Sequence, residues 1–115
     1  MASQHRKHRG YASQRIAAEW FNEHGWVLAY ATGAGESGDD IRRLPFHVEV
    51  KAQKSKDYTG WVRQVRNRVE DNLPYFVISR PDGYGPKSVG QWLCITDLET
   101  MTELLKDAGY TEDKK

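Results

Sequence analysis

The chain of 115 residues has little cysteine: Cys94 stands alone. One thiol excludes an intrachain disulfide framework and leaves no basis for a cysteine-built zinc site, which suits a reducing cytoplasm. No apolar run approaches the roughly 18 residues that span a bilayer, so no membrane partner is expected. Residues 1–10 are basic but lack the apolar segment of a secretion signal. There is no internal repeat and no low-complexity segment. Gly33–Gly38 holds three glycines, yet no helix follows, so it is not a phosphate-cradling motif. It reads as a hairpin loop or as a gate beside a site. These absences leave a single domain over 1–115, large enough for a modest core, with a basic flexible start (1–9) and a frayed tail (111–115).

Charge is present in plenty and unevenly spread. The net charge is +1, but residues 1–68 carry 12 Lys and Arg against 7 Asp and Glu, while residues 69–115 carry 5 against 9. A basic half suits a polyanionic partner; it is equally what a solvated surface looks like.

Periodicity then orders the chain. Ile16, Ala17, Trp20 and Phe21 share a face of a helix over 11–24, which Gly25 ends. Residues 26–32 read as a strand. A bent hairpin follows through residues 38–53, and a helix over 58–70 has the buried stripe Tyr58, Trp61, Val62, Val65 and Val69. Tyr75–Ser79 reads as a buried strand. Residues 88–96 read as the last strand, with Trp92 either a candidate subunit contact or a core residue. Asp97 caps a final helix through Leu98, Met101, Leu104 and Leu105 that ends at Gly109. The predicted order is α-β-β-β-α-β-β-α: an α/β fold with a mixed sheet of about five strands flanked by three helices.

The informative stretch is the hairpin. Strand alternation puts Val48, Val50 and Ala52 on a core face and Glu49, Lys51 and Gln53 on the other. Asp40 lies upstream, after the glycine-rich loop. Two carboxylates and an ammonium at a sheet edge are costly unless they hold something. Asp40 and Glu49 suit a hard divalent cation, with the Val50 backbone carbonyl between Glu49 and Lys51 as a further ligand. Lys51 suits a group that orients a water and offsets charge growing on a phosphate. Glu-x-Lys alone is a weak signal, equally a surface ion pair; the apolar strand, the upstream acid and the preceding helix strengthen it.

These residues resemble the PD-(D/E)XK nuclease superfamily, and within it the small archaeal-type and phage Holliday junction resolvases. The resemblance runs over most of residues 9–110. It is carried by Arg9-Gly10, His24-Gly25-Trp26, Gly38-Asp39-Asp40-Ile41 and Glu49-Val50-Lys51-Ala52-Gln53. It implies a restriction-endonuclease-like core with Asp40 and Glu49 as metal ligands and Lys51 as the catalytic lysine. Gln53 matches the polar residue just beyond that lysine. Asp39 stands where relatives usually have proline. Gln14 stands where many carry a glutamate on the first helix, with Glu19 its rival one turn later.

The expected activity is Mg²⁺-dependent hydrolysis of phosphodiesters in branched DNA, with Mn²⁺ as substitute, by a homodimer in a prokaryotic or phage-infected cell. A four-way junction has two symmetric strands to cut, which a two-fold dimer matches. Expected DNA contacts are Arg6, Lys7 and Arg9 at the start, and Arg42 and Arg43 in the hairpin. Lys54 and Lys56 beyond it, and Arg63, Gln64 and Arg66 on the second helix, complete the set. The alternatives are a nuclease of the same fold acting on flaps, single-stranded ends or duplex, and a nucleic-acid-binding module without catalysis.

Overall fold

A computed structural model describes residues 2–33 and 38–112, and of residues 2–9 the backbone only. The centre of the glycine-rich loop (34–37), and with it the expected gate, lies outside the described residues. So do residues 113–115 of the tail and the side chains of Arg6, Lys7 and Arg9.

The helix expected over 11–24 is longer. Helix α1 spans Ala2–Glu23, so the start expected to be flexible is helical backbone from Ala2. Ser13, Ala17 and Phe21, at i, i+4 and i+8, are buried together with Ala18. Gly25, at φ 110°, lets the chain reverse after the last turn, and the Trp26 N–H donates back to the Phe21 carbonyl at 2.9 Å.

The strand expected over 26–32 shrinks to β1, Tyr30–Ala31. The Asn22 side-chain amide donates to the carbonyls of Trp26 (3.0 Å) and Ala29 (2.9 Å). That clamp folds residues 26–29 into a turn and leaves Val27 and Leu28 exposed. Strand β2, Ile41–Arg42, pairs antiparallel with β1.

Strand β3, His47–Lys51, does not pair with β2 as a hairpin. It pairs in parallel with β4, Tyr75–Ser79, across helix α2, Tyr58–Arg68. An intervening helix is what a parallel pair needs. The backbone bond to β3 comes just ahead of β2, where the Asp40 N–H donates to the Val48 carbonyl at 3.0 Å. Strand β5, Leu93–Ile95, runs antiparallel on β4. Among the described residues the sheets are therefore two, of two and three strands, rather than one of about five. The protein is a compact α/β fold whose elements follow in the expected order.

The strand expected over 88–96 begins late because Pro86 opens a 3₁₀ helix, Pro86–Gln91. Trp20 lies across that helix. A Cβ on Gly90 would sit 2.9 Å from the indole, so only glycine allows the approach. Trp92 is buried, so of its two readings core packing holds and the exposed subunit contact does not.

Two cores result. Val48, Val50 and Ile78 meet α1 through Ala17, Ala18 and Phe21, with Ile41 and Trp92 alongside. On the other face Val77 meets Trp61, Val62 and Val65 of α2. Tyr58, expected in the α2 stripe, is exposed. Helix α3, Leu98–Asp107, is capped by Asp97, which accepts from the Thr100 N–H at 2.8 Å. Its apolar stripe finds no core: Leu98, Met101 and Leu105 are exposed. No helix among the described residues is long and apolar enough to cross a membrane.

Ile41 is fully buried and Leu98 is 81% exposed. Ile41→Ala should cost about 2–5 kcal/mol in urea unfolding, and Leu98→Ala less than about 0.5 kcal/mol. A Leu98→Ala loss that grows with protein concentration would report self-association through α3.

Candidate active site

Strand register builds the site. Glu49 lies opposite Val77, and Lys51 opposite Ser79. Paired residues share a face of the sheet, so Glu49 and Lys51 face α2 while Val48 and Val50 face α1. The even-numbered residues of β3 turn their backbone polar groups to the edge away from β4. There the Val48 carbonyl meets the Asp40 N–H, and the Val50 N–H donates to Asp40 Oδ2 at 2.7 Å. A residue's N–H and C=O share one side of a strand, so the Val50 carbonyl also lies on this edge, beside Asp40.

Asp40 is held from both sides. Its carbonyl accepts from the Thr32 N–H at 3.0 Å, and the following Ile41 is locked into the core. Gly38, at φ 92°, makes the bend that brings it there. The Asp40 carboxyl lies next to that of Glu49. Burial raises it, against the Val50 N–H, Lys51 and Arg68. Burial pushes the Glu49 carboxyl up to about 7, helped by the Asp40 charge and opposed by Lys51 and Arg68. Lys51 Nζ lies 3.8 Å from Glu49 Oε2. The three residues expected to carry the chemistry thus come together.

A second layer was not anticipated. Arg68, in the last turn of α2, forks across two carboxylates: Nη1 donates to Glu49 Oε1 at 3.0 Å and Nη2 to Asp39 Oδ1 at 2.8 Å. The other Asp39 oxygen meets His47 Nδ1 at 2.7 Å, and His47 Nε2 meets Asp71 at 3.0 Å. With an acceptor on each ring nitrogen, the ring satisfies both only as an imidazolium. Burial alone would lower His47, but Asp39 and Asp71 prevail and raise it. Both residues had sequence signals. Arg68 is seven residues after Trp61 and three after Val65, on the buried stripe itself. His47 is two residues before Glu49, on the same strand face.

The other expected residues spread outward. Gln14 is half-buried, and its amide oxygen accepts from the Gly33 N–H at 3.4 Å, which ties it to the loop rather than to the carboxylates. Its rival Glu19 is exposed, and so is Gln53, beyond the end of β3. Lys56 Nζ donates to the Gln53 carbonyl. Lys54, Arg63 and Gln64 are exposed. Arg66 pairs with Asp97 at 3.4 Å and so braces the α3 cap. Arg42 and Arg43 are exposed and line a cavity of about 320 Å³ together with Gly38, Asp39, His47 and Arg68.

Among the described residues no three His, Cys, Asp or Glu side chains converge as a metal-ligand set. The donors available are two carboxylates and a backbone carbonyl. That set fits Mg²⁺, which keeps several waters and completes its shell from substrate. Charge points the same way. Asp39, Asp40, Glu49 and Asp71 face Lys51, Arg68 and the His47 imidazolium. Within this group Asp40 and Glu49 are the two carboxyls that burial raises, and a cation between them would relieve their repulsion.

This electrostatic arrangement fixes a pH dependence. The Glu49 carboxyl rises from 4.5 to about 7 on folding. Between those values the folded chain keeps a proton that the unfolded chain has released, so stability falls as pH rises. His47, raised from 6.5, acts with the same sign higher up. Asp71 and Asp97 are lowered from 3.8 and act with the opposite sign, in the acid range only. Glu49→Gln should flatten the decline in Tm and be more stable than wild type at about pH 8. A decline that survives in the variant would assign the slope to Asp40 and His47, which are raised as well.

No family model matches the chain, and no curated protein or solved structure matches it significantly.

Proposed function

We propose that this chain is a divalent-metal-dependent DNA endonuclease with a restriction-endonuclease-like core of the PD-(D/E)XK kind. The observation that carries the reading is the Asp40–Glu49 carboxyl pair, both raised by burial, with Lys51 Nζ 3.8 Å from Glu49 Oε2. Asp40, Glu49 and the Val50 carbonyl would hold the cation. When bound, it supplies charge neutralisation on the phosphate and a more acidic water. Lys51 orients the attacking water and offsets the negative charge that grows on the phosphate. The net reaction adds water across a P–O bond: the water oxygen joins phosphorus, and the departing oxygen leaves with a proton. Gln14 holds the loop ahead of Asp40, so its part in the reading is positional.

The substrate in this reading is branched DNA, and the working unit a homodimer. Arg42 and Arg43 at the cavity supply phosphate contacts in this reading, and Lys54, Lys56 and Arg63 are further basic residues for the same strand elsewhere on the surface. The uncovered apolar stripe of α3 offers a place for a second copy.

Four-way junction and linear duplex, each incubated with and without Mg²⁺, test the reading. Junction cleavage should require Mg²⁺ and exceed duplex cleavage. Asp40→Asn and Lys51→Ala should each slow it by about 10²–10⁴-fold or more while the fold persists by circular dichroism. Undiminished cleavage by either variant would sink the assignment. Equal rates on junction and flap would move the substrate to other branched or single-stranded DNA. Binding without cleavage at any Mn²⁺ concentration would make the chain a non-catalytic module.

A further inference from the structure

Arg68 has two sets of neighbours. On one side its guanidinium forks across Glu49 and Asp39 at 3.0 and 2.8 Å. On the other it lines the cavity of about 320 Å³ with Arg42, Arg43 and His47. That volume is near the lower end of ligand pockets, which run to about 300–1,000 Å³, and suits a sugar-phosphate unit. Its lining is basic. The one carboxylate in it, Asp39, is already bonded to both Arg68 and His47. Arg43 holds φ 66°, the only non-glycine residue in the left-handed region among those described. Strain of this kind collects at binding sites. Gly38 completes the cradle: a Cβ there would stand 3.4 Å from Arg42 Nη2.

A cation between Asp40 and Glu49 would draw on the same Glu49 carboxylate that Arg68 holds. A divalent ion and a guanidinium repel each other across one carboxylate, so binding of one weakens the hold of the other. Arg68 is a long side chain at a helix end, 26% exposed, with room in the cavity beside it. Guanidinium geometry matches phosphate as well as it matches carboxylate.

We propose that Arg68 is a displaceable counter-cation: it holds Glu49 and Asp39 while the metal is absent, and when a divalent cation enters it turns into the cavity to bind a phosphodiester of the substrate strand with Arg43. The proposal rests on the nuclease reading and adds a phosphate-positioning residue to it. Arg68 couples metal to substrate, so the grip on DNA strengthens only when the metal is in place.

Calorimetric titration of the full chain with Mn²⁺ tests the first half, on wild type, Arg68→Met and Arg68→Lys. Arg68→Met should bind Mn²⁺ about five- to 150-fold more tightly than wild type, the range typical of coupled sites. Arg68→Lys, which keeps the charge and loses the fork, should fall between. Binding of a four-way junction in Ca²⁺ or EDTA tests the second half. Arg68→Met should bind the junction more weakly in Ca²⁺ and unchanged in EDTA. A merely structural arginine would not give that split. Should both variants misfold, ¹⁵N spectra of wild type decide. Guanidinium N–H signals of Arg68 that are protected without metal should be lost on Mg²⁺ saturation. Equal or weaker Mn²⁺ binding by a folded Arg68→Met, or Arg68 signals unchanged by Mg²⁺, overturns the proposal and leaves the nuclease reading standing. Absence of Mn²⁺ binding by wild type and variant alike removes both.

Discussion

The bond from the Val50 N–H to Asp40 Oδ2, 2.7 Å long, organises the molecule. It spends an edge donor of β3 on a carboxylate instead of on a neighbouring strand. β2 therefore turns away to pair with β1, and the sheet divides into two. The same bond sets a second carboxyl beside Glu49 on an element packed from both faces. Ile41, one residue on, is fully buried and keeps the bend from relaxing. An exposed carboxylate would form such a bond for little gain; here it is worth more because water is largely excluded.

The site that follows is one stability alone would not select. Burial favours the neutral form of both Asp40 and Glu49, and replacing a buried charge network by apolar side chains is often neutral or stabilising. Each cation nearby offsets part of the repulsion. Arg68 gives a two-point fork, Lys51 a looser contact, and His47 a bridge that reaches Asp71 on the far side. Proteins keep such arrangements where function requires them.

Legibility in the sequence followed local strength. The α2 and β4 segments have dense apolar patterns, and their extents were readable to within two residues. Glu49 and Lys51 were readable because strand alternation is rigid. Residues 26–32 misled because their apolar content fits a strand, while Asn22, a full turn upstream, clamps them by two hydrogen bonds that no periodicity registers. Residues 88–96 misled because the packing of Trp20 on Gly90 is a contact between distant segments. Helix α3 was legible as a helix through its cap and stripe, but a stripe says nothing of whether a partner exists within the chain. The strand pairing was the largest loss: a parallel partner 28 residues away competes with an adjacent hairpin, and the deciding bond is one side-chain carboxylate.

Arg68 and His47 show the limit more sharply. Each lies on a face that packing turns inward, and each reads by type as surface. Charged residues on a buried stripe are rarely accidental, because an unpaired charge there is expensive. The rule that leads to them is to ask of every charged residue on an apolar face which opposite charge satisfies it. Asked of Arg68, the acids within reach are those of the Asp39–Asp40 bend and β3. Asked of Asp39, the question explains an acidic residue where the resemblance expects proline. A proline there would fix the backbone and leave Arg68 with Glu49 alone. The aspartate gives the guanidinium a second anchor and His47 its first. The position that departs from the expected pattern is thus the one that ties α2 to the carboxylate pair.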